Sequence, residues 1–214
     1  MFLVTGGTGF IGKRVVAQLL QRNIKVLATD INTKNEMDSF EKYLSVKGIS
    51  IKDLELLELD ISSKEDLSKI FKNFKISNII ACGYQMSNLI DNNPIQGAEV
   101  NIVGMTNLFQ AVLDNKIQRM IFPSSQSVYG TSSRLFNDKP IHEDDYCGLQ
   151  HQLFTYAVMK LLNEFMAQKY VSMHKVSIAC TRPSVVFGYG RKRSSLMWAE
   201  EFATNPALGK PVHL

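Results

Sequence analysis

The 214-residue sequence reads as an α/β chain built on a doubly wound parallel sheet. Short apolar runs alternate with longer stretches of helical periodicity, and glycines crowd the first junction between the two. The alternation then holds as far as Gly190. Short strands joined by amphipathic helices need a parallel sheet covered on both faces. Right-handed crossovers leave the doubly wound arrangement as the simplest topology.

Phe2 to Thr5 is a short buried strand, and from Phe10 the apolar positions Ile11, Val15, Val16, Leu19 and Leu20 recur at helical spacing. Lys25 to Asp30 is the second strand, a helical stretch covers Glu36 to Val46, and Leu54 to Asp60 is the third strand. Ser62 or Ser63 caps a helix that buries Leu67, Ile70, Phe71 and Phe74. Asn78 to Cys82 is strand four, and Ile95 to Leu113 is one long helix. Arg119 to Pro123, a helix over Phe154 to Val171, and a strand over Val176 to Cys180 complete the pattern.

Four glycines fall within the first twelve residues, Gly6, Gly7, Gly9 and Gly12, directly after the first strand. Glycine costs backbone entropy, so the cluster needs a structural reason. A dinucleotide pyrophosphate supplies one. The first glycines allow a tight turn, the middle one lets the backbone approach phosphates, and the last brings helix and strand together. Asp30 closes the second strand about 20 residues later, where a carboxylate accepts hydrogen bonds from ribose hydroxyls. Its charge would repel a 2′-phosphate, so NAD is expected over NADP. Asp60 closes the third strand and is equally readable as an adenine contact or a helix cap.

Composition narrows the class. Hydrophobic residues make up 45% and charged ones 21%, as in an ordinary globular protein. The net charge of +4 is spread along the chain, with one basic cluster at Arg191-Lys192-Arg193, so no nucleic-acid face is expected. Cys82, Cys147 and Cys180 have neither metal-ligand nor disulfide spacing. The consecutive His142-Glu143-Asp144-Asp145 points its side chains apart and reads as a solvated loop, not a metal site. No apolar run approaches the roughly 20 residues of a membrane span, and the first strand starts at Met1 with no room for a leader. A cytoplasmic protein is the expectation.

Tyr156 and Lys160 stand at i and i+4 and share one helix face. A phenol titrating near 10 is a poor base at neutral pH. A nearby ammonium is expected to favour the phenolate. Ser125, at the carboxyl end of strand five, can hydrogen-bond the same substrate oxygen.

These pieces come in a recognisable order: TGGTGFIG, Asp30, LDI at Leu59 to Ile61, NIVGMTNLFQA from Asn101, SSQSVYG from Ser124, YAVMK, and RPSVVFGYG from Arg182. The set resembles the extended short-chain dehydrogenase/reductase family, in its NAD-dependent epimerase/dehydratase branch, and implies a Rossmann-like fold. The resemblance implies Ser125, Tyr156 and Lys160 as the catalytic set, with Tyr156 as acid/base and Lys160 also on the nicotinamide ribose. It places Gly6, Gly9, Phe10, Ile11, Asp30, Asp60, Ile61, Ala81, Ser124, Pro183 and Val186 with them around NAD. Asn101 would support the active site. Two helices, Ile95 to Leu113 and Phe154 to Val171, would pair in a homodimer.

Departures from the family pattern sharpen the expectation. Ala81-Cys82-Gly83 replaces the usual alanine pair, and YAVMK keeps only the chemical pair of its motif. Gln126-Ser127 stands where nucleotide-sugar 4,6-dehydratases carry Asp-Glu, which argues against that elimination. Residues 1–190 are expected to form the NAD-binding domain, and 191–214 the beginning of a truncated or short substrate-binding region. Met86, Ser87, Gln126 and Arg191 are candidate contacts to a sugar, nucleotide-sugar or sugar-acid substrate. The alternative is a regulatory or inactive fragment that binds NAD without turnover.

Overall fold

The computed structural model describes residues 1–130, 139–145, 147–188, 190–191 and 197–212, with backbone alone at 34, 35, 87 and 197–200. Six parallel strands form one sheet: β1 (Phe2–Thr5), β2 (Val26–Asp30), β3 (Leu54–Glu58), β4 (Asn78–Ala81), β5 (Arg119–Pro123) and β6 (Ile178–Thr181). Their order across the sheet is β3-β2-β1-β4-β5-β6. The first crossover steps one way from β1 and the fourth strand returns to its other side, pairing Thr5 with both Thr29 and Ala81. That reversal of winding opens a crevice at the carboxyl ends of β1 and β4.

The helices are α1 (Gly12–Gln21), α2 (Thr33–Val46), α3 (Lys64–Asn73), α4 (Ser87–Asn92), α5 (Pro94–Ala98), α6 (Met105–Asp114), α7 (Thr155–His174) and α8 (Met197–Ala207). Side chains alternate across the strands, so each sheet face has its own core. Val4, Val26 and Ala28 pack with Val16 and Leu20 of α1 and Phe40 and Leu44 of α2. Leu3, Leu27 and Ile79 face the other way, onto Leu67 and Ile70 of α3, Leu108 and Phe109 of α6, and Ala167 of α7. Each such buried leucine or phenylalanine contributes about 1.5–3 kcal/mol.

The long helix expected over Ile95 to Leu113 is not uniform. Glu99–Gly104, between α5 and α6, is π-helical, and a separate short helix, α4, occupies part of the expected loop before it. The wider turn brings Asn101 fully into the interior. Ser63 is the cap of α3, its hydroxyl accepting from the Asp66 N–H at 3.2 Å. Among the described residues no helix is long and apolar enough to cross a membrane.

Candidate active site

The glycine loop is tied to its neighbours by backbone bonds, Gly7 N–H to Thr29 O at 2.9 Å and Gly9 N–H to Gly6 O at 3.1 Å. Gly6 lies at φ +62, and a Cβ there would meet the Gly83 nitrogen at 2.5 Å. A Cβ on Gly12 would meet the Gly6 oxygen at 1.9 Å. Only glycine lets the β1 loop touch the β4 loop on one side and α1 on the other. Helix α1 starts without a side-chain cap, and its first N–H groups bond back to the loop, Lys13 to Gly9 O and Arg14 to Ile11 O, each at 3.0 Å. Phe10, in the loop, carries the Arg14 guanidinium over its ring at 3.9 Å and the Arg191 guanidinium at 5.6 Å.

Thr5, Gly6, Asp30, Asp60, Ile61 and Gly83 line one cleft, together with Tyr84 and Gln85. Asp30 Oδ2 accepts from the Thr8 hydroxyl at 2.6 Å and Oδ1 from the Ile31 N–H at 2.9 Å. The carboxylate therefore holds the glycine loop while facing the cleft. Asp60 is not the cap of α3. Its Oδ1 closes a local turn, accepting from the Ser62 N–H and hydroxyl at 2.8 and 2.7 Å, while the residue lines the cleft. Asn107 donates to the carbonyls of Ile61 and Ser62, and Asn101 grips Gln85 through both its backbone N–H and its carbonyl. Ala81 is buried at the end of β4, and burial pushes the neighbouring Cys82 thiol up to about 12.

At the other end of the crevice, β5 delivers Ser124 and Ser125. Ser125 starts a 3-10 turn over Gln126–Tyr129, its Oγ accepting from the N–H and hydroxyl of Ser127 at 3.1 and 2.9 Å. Ser124 is buried, and its hydroxyl has no partner among the described residues. Gln126 donates its N–H to Pro183 O at 3.1 Å, so the segment after β6 packs on the Ser125 turn, with Val186 half-buried beyond it. Arg182 fastens the same corner: it pairs with Glu164 of α7 at 2.7 Å and donates to the Tyr129 hydroxyl at 2.6 Å.

Tyr156 and Lys160 do share a face of α7, but the expected ammonium-to-phenol effect is not what the geometry gives. Lys160 is 3% exposed, donates to Pro123 O at 2.6 Å, and lies 3.3 Å from the centre of the Tyr84 ring but 5.6 Å from that of Tyr156. Burial drives its amine down to about 7. Burial likewise raises the Tyr156 phenol, opposed by the Ser125 side chain and the Arg191 charge. Arg191 therefore acts on both the phenol and the glycine loop.

Of the expected substrate contacts, Met86 is exposed at the head of α4 and Gln126 is exposed beside Ser125. The Ser87 side chain lies outside the described residues, as do Lys192 and Arg193. Tyr84 and Asn163 are site residues that spacing did not point to. Asn163 is fully buried and donates to the Tyr84 hydroxyl at 3.1 Å and to Asn101 O at 2.9 Å. The departure at Ala81-Cys82-Gly83 was the one hint that something new follows β4.

Residues 2–213 match the model of the NAD dependent epimerase/dehydratase family. A bifunctional UDP-glucose 4-epimerase and UDP-xylose 4-epimerase of Pisum sativum is 33% identical over 135 residues, which is 62% of this chain and 39% of that protein. The chain spans 57% and 39% of the length of the first two curated relatives it matches. The fold is similar to that of the Thermus thermophilus UDP-glucose 4-epimerase solved with NAD, with TM-score 0.74, 22% identity, and 99% of this chain and 64% of that one covered. It is also similar to a GalE-like L-threonine dehydrogenase of Cupriavidus necator, with TM-score 0.77, 16% identity, and 98% and 63% covered.

Proposed function

Because the chain belongs to the NAD dependent epimerase/dehydratase family, we propose that it binds NAD in the crevice between β1 and β4 and oxidises a hydroxyl-bearing carbon of a sugar, nucleotide sugar or sugar acid. The observation that carries this reading is the cradle itself. Its backbone comes so close at Gly6 and Gly12 that no Cβ fits, and it opens onto the Asp30 carboxylate. Gly6, Gly9, Phe10 and Ile11 would hold the pyrophosphate and Asp30 the adenosine ribose. Asp60, Ile61 and Ala81 would flank the adenosine half, and Ser124, Pro183 and Val186 the nicotinamide end. NAD, when bound, supplies the acceptor for the hydride leaving that carbon.

The chain's own part is proton handling and orientation. The Tyr156 phenolic oxygen takes the hydroxyl proton as the carbon is oxidised and returns it on reduction. Ser125 supports it: Ser127 donates to its oxygen, and its hydroxyl, engaged with the Tyr156 phenol, stands where it can also meet the substrate oxygen. Arg191, whose charge already acts on the phenol, favours the phenolate and suits an anionic substrate such as a sugar acid or a sugar diphosphate. Met86 and Gln126, both exposed, would complete the substrate side.

Calorimetry with NAD, followed by turnover on a panel of UDP-sugars and uronic and aldonic acids, tests the reading. Tyr156→Phe should keep the heat of NAD binding and lose turnover by at least about 100-fold. Full activity in that variant would refute it. A second reading, NAD binding without turnover, is favoured by the burial that raises the Tyr156 phenol. It is selected if wild type binds NAD yet turns over nothing in the panel. Homodimerisation through α7 is supported by Val158, Leu162 and Phe165, exposed at 37%, 41% and 54% and spaced i, i+4, i+7. Sedimentation should show a dimer that Phe165→Arg converts to monomer.

A further inference from the structure

Three parts of the site converge on Tyr84, just beyond β4. Its ring face lies 3.3 Å from Lys160 Nζ, and it meets the Tyr156 ring in a T-shaped contact, centroids 5.7 Å and planes 89° apart. Its hydroxyl accepts from Asn163 Nδ2. The next residue, Gln85, is clamped by Asn101 at 2.8 and 3.1 Å, so neither the ring nor the backbone behind it is loose. An ammonium this deeply buried keeps its proton only where its charge is compensated. The titratable groups around it are Cys82 after β4, Glu164 on α7 and Cys180 on β6, with Tyr84 and Tyr156 themselves. Glu164, the carboxylate among them, is already paired with Arg182. In direct contact the ammonium has the Pro123 carbonyl on one side and the Tyr84 π-face on another.

We propose that Tyr84 is the positioning residue of this site: its ring face seats the Lys160 ammonium against the Pro123 carbonyl, and its T-shaped contact sets the Tyr156 ring. The proposal deepens the reading under "Proposed function", since it takes Tyr156 and Lys160 as the chemical pair. Tyr84 touches no reacting atom in this role. It couples the β4 loop to α7, so that the two catalytic side chains keep a fixed relation.

Side-chain NMR of Lys160 in the purified chain, without added cofactor, tests it. In wild type the Lys160 ε-methylene protons should lie upfield of the ordinary lysine range, because they sit over a ring face. Tyr84→Phe keeps the ring and should leave the Lys160 titration unchanged. Tyr84→Leu keeps the site dry without the π-face and should lower the midpoint by about one pH unit. Tyr84→Ala admits water and should move it upward, toward 10.5. Opposite displacements by Leu and Ala are not what a general loss of packing gives. Ordinary ε-methylene shifts in wild type, or wild-type titration in both the Leu and Ala variants, overturn the proposal. Should a variant not fold, the wild-type shifts alone decide. Turnover that survives Tyr156→Phe sinks the proposed function whatever the NMR shows. Failure of the NMR result alongside loss of turnover in Tyr156→Phe sinks the Tyr84 role alone.

Discussion

Replacing Gly12 by alanine isolates the contact between α1 and the loop that precedes it. The added methyl would stand 1.9 Å from the Gly6 oxygen and 2.8 Å from both the Gly6 carbon and the Gly7 Cα. The first distance is about 1.1 Å short of the 3.0 Å below which Cβ contacts are essentially not found, and every obstacle is backbone. No side chain can rotate away, so the start of α1 must shift outward by about that amount. Overpacking on this scale costs about 1–3 kcal/mol. For a chain of 214 residues that corresponds to a Tm lower by roughly 3–10 °C. The same shift carries the start of α1 off the pyrophosphate position, and NAD affinity should fall about 10- to 100-fold. The control is Gly48→Ala. Gly48 ends α2 at φ +63 in open space, so a methyl there strains one backbone angle and touches nothing. It should cost about 1 kcal/mol and leave NAD binding unchanged. Thermal unfolding and calorimetry read both variants. A Gly12→Ala protein with wild-type Tm and wild-type NAD affinity would show that α1 does not depend on that close approach.

Asp30→Ala removes the acceptor of the Thr8 hydroxyl and the negative wall of the cleft together. NAD affinity should drop about 10- to 100-fold and the preference over NADP should relax, by titration calorimetry with each; an unchanged preference removes Asp30 from the site. The buried Lys160 amine, held at about 7, gives stability a pH dependence. Between pH 7 and 10 the unfolded chain retains a proton that the folded amine has released, so stability rises with pH across that window. Denaturant melts should show wild type gaining on Lys160→Met from pH 7 to pH 10, and a constant difference contradicts the assignment.

Local patterning carried most of the fold. A strand as short as Phe2–Thr5 was legible because it lies between two others, and its residues are uniformly apolar or β-branched. The parallel order followed from alternation with helices. The glycine loop and Asp30 were legible because each answers a local need of the βα turn. The π-helical turn at Glu99–Gly104 was not, since a continuous run of helical periodicity conceals one wide turn. Helical spacing placed Tyr156 and Lys160 on one face of α7, but it cannot say where a four-carbon stem ends. That is decided by Pro123 O at the end of β5 and the Tyr84 ring in the loop after β4. The Arg182–Glu164 pair was hidden for the same reason, because 18 residues and a change of element separate its partners.

Asn101 and Asn107 grip opposite banks of the cleft from a single continuous helical rod, one at the Gln85 backbone and the other at the carbonyls of Ile61 and Ser62. Gly104, between them, lets the rod press on Ile61, where a methyl would come within 2.6 Å. Gln85 and Ile61 both line the cleft, so one stretch of helix tethers two parts of its lining at once, and a change in that helix reaches both.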